Sequence, residues 1–269
     1  MEYLISFSTD YEDIILYHVL HDVSNVFWID VGANDPVFAS VTKFFSIRGG
    51  CGINIEPLQQ FNEKYAIDRP NEINLNIGIS DKSGYLNLYG YGQGASYDKK
   101  GNIHTKGYSP QKTIVKTLKQ VCLENINQKK DIHFLKIDVE NWERQCLLGM
   151  DFEHYRPWIV CIESTIPNTM IPNYQEWEDL LTSRDYRFVY SYSVNRFYVD
   201  CSRSELMERF ADLNKTPIYE LYNIVQWNYI NGIKREKKKQ ELVETIKKCK
   251  LLVPLKVLKR KIESLKNRK

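Results

Sequence analysis

The sequence predicts an α/β fold built on a mostly parallel, doubly wound sheet with an antiparallel strand near its end. Three observations carry this prediction. The segments Phe27-Trp28-Ile29-Asp30-Val31-Gly32 and Gly52-Ile53-Asn54-Ile55-Glu56 are short apolar runs ending in a glycine or a carboxylate. Parallel strands buried on both faces read as near-continuous apolar runs of this kind. Such runs alternate with helix-like segments through five strands, which implies right-handed crossovers and a parallel sheet. The last two strands are separated only by a few residues around Val194-Asn195, a hairpin length, so one of them must run antiparallel.

Taken in order, Thr9-Asp10-Tyr11-Glu12 reads as a capping box that opens a helix through about residue 21. The first strand is 26–31. A helix at 40–48 ends at Gly49-Gly50, strand two is 51–55, and a helix at 58–67 stops before Pro70. Strand three covers 72–79, and 84–90 forms an extra strand. Residues 90–110 are rich in Gly, Tyr and Ser without periodicity, the signature of a functional loop. A helix at 117–126 leads into the strand 132–139. A short helix at 141–148, a strand at 158–163, a helix at 174–184 and strands at 187–192 and 196–200 complete the domain, 1–202. Residues 203–233 form a helical extension and 234–269 a basic amphipathic tail.

The first loop points to a ligand. Glu56 lies 24 positions after Gly32, close to the interval of about 20 residues at which such sheets present a carboxylate to a ribose diol. A dinucleotide fold wants G-x-G-x-x-G around its pyrophosphate, yet only Gly32 is present and Asn34 stands where the next glycine belongs. One glycine with nearby acids suits an adenosine-type cofactor with no phosphate and a positive charge, and S-adenosylmethionine has both properties. A ligand-free strand-to-helix turn is the structural alternative.

Bulk properties narrow the class. The 43% hydrophobic and 26% charged residues are ordinary for a soluble protein. Six cysteines show no C-x-x-C spacing, which implies neither a zinc site nor a disulfide framework and favours a reducing compartment. Neither a signal peptide nor a membrane-spanning run is legible, so the expected location is cytoplasmic. Fifteen Lys/Arg and four Asp/Glu give 234–269 a net charge of +11, which leaves −8 on the rest of a +3 chain. An acidic body argues against nucleic acid as a partner. The basic tail, with Leu255, Leu258, Ile262 and Leu265 at helical spacing, suggests an anionic membrane surface at the inner face of the membrane, or an assembly partner.

A set of segments resembles the FkbM-type methyltransferases, which have the class I methyltransferase, Rossmann-like arrangement. They are Tyr11-Glu12-Asp13-Ile14-Ile15-Leu16, the stretch from Ile29 to Ser40, Gly52 to Pro57, Ile73 to Ser80, Thr117-Leu118, Phe134-Leu135-Lys136-Ile137-Asp138-Val139-Glu140, Arg156-Pro157-Trp158 and Asn195-Arg196-Phe197-Tyr198. They keep family order over about 8–200. Tyr11 and Asn141 stand where the family usually has glycine, and Gly94-Ala95-Ser96-Tyr97 only loosely echoes its Leu-Ser-Thr segment. The resemblance implies S-adenosylmethionine-dependent O-methylation. The implied acceptor is a sugar of a surface polysaccharide, a glycolipid or a secondary metabolite. A glycosyltransferase is one assembly partner expected for the basic tail.

That chemistry needs alignment of a hydroxyl and removal of its proton. Glu56, with Pro57, is the expected ribose acceptor. Asp30, Gly32, Ala33 and Asn34 are expected at the methionine moiety, and Asn76 and Gly78 at the adenine. Asp138, at the end of the fourth strand, is the leading base or metal ligand. Glu140 and Glu163 accompany it, and the three carboxylates could hold Mg²⁺, with Asp138 and Glu163 as ligands. His104 in the long loop is an alternative base, His133 is expected in the core, and Asn195-Arg196 could meet the acceptor. Two other functions stay open: a nicotinamide-dependent oxidoreductase, which the missing glycines disfavour, and a degenerate binding module.

Overall fold

The computed structural model describes residues 3–98, 109–127, 130–227, 230–232 and 240. The chain divides into two compact units, Met1–Ile224 and Val225–Lys269, and the seven-stranded sheet, the three-stranded sheet and the site lie in the first. Its elements are β1 (Tyr3–Ser6), α1 (Glu12–Val19), β2 (Phe27–Val31), α2 (Lys43–Ser46), β3 (Cys51–Ile55), α3 (Gln59–Asp68), β4 (Ile73–Leu75), β5 (Gly78–Ile79) and β6 (Gly84–Leu88). They continue with β7 (Gln111–Lys116), α4 (Leu118–Asn125), β8 (Ile132–Ile137), α5 (Glu143–Leu148), β9 (Pro157–Glu163), α6 (Glu178–Thr182), β10 (Tyr186–Tyr192), β11 (Asn195–Asp200), α7 (Ser204–Leu213) and α8 (Ile218–Leu221).

The main sheet has seven strands in the order β10-β11-β9-β8-β2-β3-β4. The pairs from β4 to β9 are all parallel, and β11 runs antiparallel to both β9 and β10. The register of β10 on β11 shifts between Phe188 and Tyr190, a bulge in the edge strand. A separate three-stranded sheet, β5-β7-β6, stands beside it. Every residue of β2 and β8 is buried, as the apolar runs require of strands covered on both faces. On one face Ile29, Val31, Leu135 and Ile137 pack with Val121, Leu147 and Leu181 of α4, α5 and α6. On the other, Trp28 stacks on Phe134 at 6.2 Å, and Phe134 meets Phe45 of α2 at 5.2 Å. Toward the far edge, Phe210 of α7 packs on Phe197 of β11 at 5.5 Å.

Several expected elements differ. The expected strand 72–79 is broken in two, because Asn76 Nδ2 donates to the carbonyls of Glu56 and Pro57 and turns the chain from β4 toward β5. The capping box does not form. Helix α1 begins at Glu12 behind Tyr11, which is left-handed with φ +60° and makes no side-chain cap. Its acids are drawn elsewhere: Asp13 accepts from the amides of Phe7 and Ser8 and the hydroxyls of Ser6 and Ser8, and Glu12 accepts from the Asp10 amide. The helix expected from 141 starts at Glu143, because Glu140 and Asn141 are left-handed. The helix expected at 174–184 is a 3-10 turn followed by α6. Strands β1 and β7 were not legible, and the expected helical extension 203–233 contains, after α7 and α8, the strand Asn223–Gln226. No helix among the described residues is long and apolar enough to cross a membrane.

Candidate functional site

The strand order reverses between β2 and β8. The chain steps outward from β2 through β3 to β4, then returns to place β8 on the other flank of β2. Open α/β sheets bind ligands in the crevice outside the carboxyl ends of the strands at such a reversal. A narrow crevice lies there, with about 490 Å³ of empty space, part of it open to solvent. Gly32, Asn34, Glu56, Gly78, Tyr97 and Asp138 are among its walls.

Gly32 has φ +75°, and a Cβ there would lie 1.9 Å from the carbonyl oxygen of Asp138. Its amide and that of Ala33 both donate to the Ile55 carbonyl at 3.1 Å. The turn is thus clamped between β3 and β8, and the glycine is required by the protein's own backbone. Glu56 accepts from the Asn34 amide at 3.0 Å and the Leu58 amide at 2.8 Å. Burial pushes its carboxyl up to about 7 against the pull of those two bonds. Each oxygen keeps a lone pair, since a carboxylate has about four acceptor sites. Asn34 is left-handed, and its buried Oδ1 has no partner among the described residues. Pro57 and Gly78 line the crevice. The hydroxyl of Tyr97 lies 1.9 Å from where a Gly78 Cβ would be, and bonds the Thr113 hydroxyl at 2.8 Å.

Other expected residues stand behind the wall. Asp30 is buried on the far side of the strand: Oδ2 accepts from the Thr42 hydroxyl at 3.2 Å, and Oδ1 is 3.5 Å from Lys136 Nζ. Ala33 gives its carbonyl to the Tyr65 hydroxyl, and Asn76 gives its amide to backbone carbonyls. Lys136 was not foreseen as a site residue, although a lysine inside the apolar run 132–139 is a legible signal. Its ammonium donates to the Gly32 carbonyl at 3.1 Å and lies 3.4 Å from Asp138 Oδ2. Burial opposes its charge, but Asp138 and Asp30 outweigh burial and raise its pKa.

Asp138 lines the crevice with its side chain 43% exposed. Buried Glu143 and Glu163 and half-buried Glu140 stand around it. Burial, then Asp138 and Glu143, push Glu140 up to about 8. Burial, then Asp138, Glu143 and Glu140, push Glu163 up to about 11. Glu140 Oε2 and Glu163 Oε2 have no hydrogen-bond partner among the described residues. Glu143 accepts from the amides of Val139 and Asn141 and holds the left-handed turn. Among the described residues these acids do not bring three ligand atoms within 4.8 Å of one another. Among the described residues, the one set of three ligand atoms within 4.8 Å is Asp151, Glu153 and His154, ahead of β9 at the other end of the sheet.

His133 Nδ1 accepts from the Phe27 amide at 2.8 Å, and burial lowers its pKa, so it is a core group. Asn195 donates to Glu12, and Arg196 is engaged by Tyr198 and Glu178 and lies over Tyr174 and Phe188. His104 lies outside the described residues.

Residues 30–188 match the family model of the methyltransferase FkbM domain, more than half of the chain. The chain belongs to the FkbM methyltransferase family. The FkbM match contains every crevice residue from Val31 to Glu140, and Glu163. Among solved structures, methyltransferase FkbM from Methylobacillus flagellatus KT is similar at 14% identity, with 72% of this chain and 56% of that chain covered and a TM-score of 0.39. The FkbM chain described here thus spans a little over half the length of that relative. No curated protein matches it.

Proposed function

We propose that the chain is an S-adenosylmethionine-dependent O-methyltransferase acting on a hydroxyl of a sugar in a surface glycan, glycolipid or related metabolite. The observation that carries this is the crevice at the β2/β8 reversal, which offers a buried glutamate and an unpartnered amide but no glycine-rich phosphate cradle. Those donors and acceptors fit a nucleoside without phosphates. Glu56 and Asn34 would hold it through their remaining acceptor sites. When bound, S-adenosylmethionine supplies an electrophilic methyl group on a cationic sulfur.

The protein's part is to orient the acceptor and take its proton. Asp138 is the exposed carboxylate of the group, and Lys136 fixes its direction through Oδ2. Its other oxygen is free to take the proton of a hydroxyl placed in the crevice. Burial and the neighbouring acids push the Glu163 carboxyl well up, which favours its protonated form near Asp138. Tyr97 forms part of the crevice wall beside Gly78.

Titration with S-adenosylmethionine and with NAD, followed by transfer of a radiolabelled methyl group into extracts of the native host, tests this. Binding of the methyl donor and label in a saccharide are expected. Tight NAD binding with no response to S-adenosylmethionine would overturn the reading in favour of an oxidoreductase. The basic segment 234–269 lies outside the described residues except for residue 240. We read it as an attachment to an anionic membrane surface or to a glycosyltransferase. Sedimentation with anionic vesicles, with and without that segment, tests the membrane option.

A further inference from the structure

A second cavity, with about 600 Å³ of empty space, part of it open to solvent, lies beside the crevice. The turn after β2 brings Phe38 to it, α3 brings Gln60, Phe61 and Lys64, and the loop after β6 brings Tyr91 and Gln93. Phe38 is 50% exposed and Tyr91 is 59% exposed, while Phe61 beneath them is buried. An apolar side chain bared singly on a surface needs no explanation, but two large rings bared at one concave site mark a binding groove.

The backbone under both rings is fixed. Asp35 Oδ1 accepts from the amides of Val37 at 3.0 Å and Phe38 at 2.9 Å. Tyr89 and Ser96 exchange two backbone bonds at 2.9 Å and close the loop that carries Tyr91. The two charged residues on the walls, Asp35 and Lys64, pair with each other at 2.7 Å, so the lining carries no net charge. The carboxamides of half-buried Gln60 and exposed Gln93 make no hydrogen bond among the described residues, and each can both give and accept. What this surface asks for is a neutral ligand with carbon faces for the rings and hydroxyls for the amides. A sugar ring has both, whereas an ion or a purely apolar chain would use only part of it. Gly92 and Gln93 line this cavity and the crevice alike, so one short segment divides the two. An extended acceptor that crosses it has one unit at the crevice and another here.

We propose that the groove between Phe38 and Tyr91 is a subsite for a neutral sugar unit of the acceptor, beyond the unit that is methylated. The inference rests on the sugar O-methyltransferase reading. It adds that the acceptor is an oligosaccharide or a longer glycan.

The test uses the full chain and its Phe38→Ala, Tyr91→Ala and Phe38→Tyr variants. Both side chains are exposed, so their replacement leaves the core intact. An array of neutral and of anionic di- and trisaccharides is the probe, and S-adenosylmethionine is titrated in parallel. The wild type should retain neutral members of the array. Each alanine variant should bind them roughly tenfold more weakly, the loss of one ring face. Phe38→Tyr, which keeps the ring, should bind them as the wild type does, and affinity for S-adenosylmethionine should stay within about twofold throughout. A retained saccharide should also slow nitration of Tyr91 in the wild type, read by peptide mass spectrometry, but not that of Tyr85, which is 63% exposed on β6. Retention of no neutral saccharide, preference for the anionic ones, undiminished binding by the folded alanine variants, or unchanged nitration of Tyr91 would each overturn the subsite. If S-adenosylmethionine binds while these outcomes occur, only the subsite fails; if the wild type does not bind it, the methyltransferase reading fails.

Discussion

At the scale of single residues, the site depends on contacts that leave no room for substitution. Asp138 is the exposed carboxylate on the crevice wall, held by Lys136. Asp138→Asn should lower the methyl-transfer rate by about 10²–10⁴-fold, the range of a lost general base, while affinity for the methyl donor stays within about twofold; steady-state kinetics and calorimetry read both. Gly32→Ala should destabilise the fold by roughly 2–4 kcal/mol in chemical denaturation, because the new Cβ would sit on the Asp138 carbonyl. Gly32, Glu56 and Asp138 were legible because each ends an apolar run at the ligand edge. Asp30, Ala33 and Asn76 were legible as polar or turn positions, but their partners were not. Those partners, such as Lys136 and Tyr65, lie far along the chain and meet only in the folded sheet. Tyr11 and Asn141, which replace the expected glycines, are both left-handed. Asparagine tolerates that conformation, whereas tyrosine adopts it at greater cost.

At the scale of elements, the segment over the crevice is latched to the loop after β8. The Ser96 hydroxyl donates to the Glu140 carbonyl at 2.6 Å and accepts from the Asp98 amide at 2.9 Å. Ser96→Ala removes both bonds, at about 1 kcal/mol each. It should speed limited proteolysis within 89–98 and weaken methyl-donor binding severalfold. Buried Arg69, after α3, is a second fixed point: it pairs with Glu72 and donates to Thr42 and Asn54. Arg69→Ala should cost about 3–5 kcal/mol in denaturation, since it strands Glu72 in a dry setting. Apolar periodicity located the strands of the main sheet well. It missed β7 because four of that strand's six residues are not apolar and three are exposed. It overextended the helices at 40–48 and 141–148, where left-handed or short-range bonding takes the backbone away.

At the scale of the whole molecule, the buried acids set the response to pH. Glu12, Glu56 and Glu143 are pushed up to about 7, Glu140 to about 8 and Glu163 to about 11, each chiefly by burial. The folded chain therefore holds more protons than the unfolded one above the ordinary glutamate range, and stability falls as pH rises through the folded values. His18 and His133, lowered by burial, act in the opposite sense only as pH falls through the ordinary histidine range. Between about pH 6.5 and 8 the acids dominate, so the melting temperature should drop across that window. Glu163→Gln should flatten the slope by roughly 1 kcal/mol per pH unit. The sheet itself was legible at this scale, because alternation and a closing hairpin constrain topology strongly. The bulge in β10 and the brevity of β4 were not, and they have a consequence for solubility. They are the two borders of the main sheet, and a three-residue strand or a kinked one offers a poor template for a foreign strand. Concentrated protein should therefore resist border-to-border assembly into fibrils.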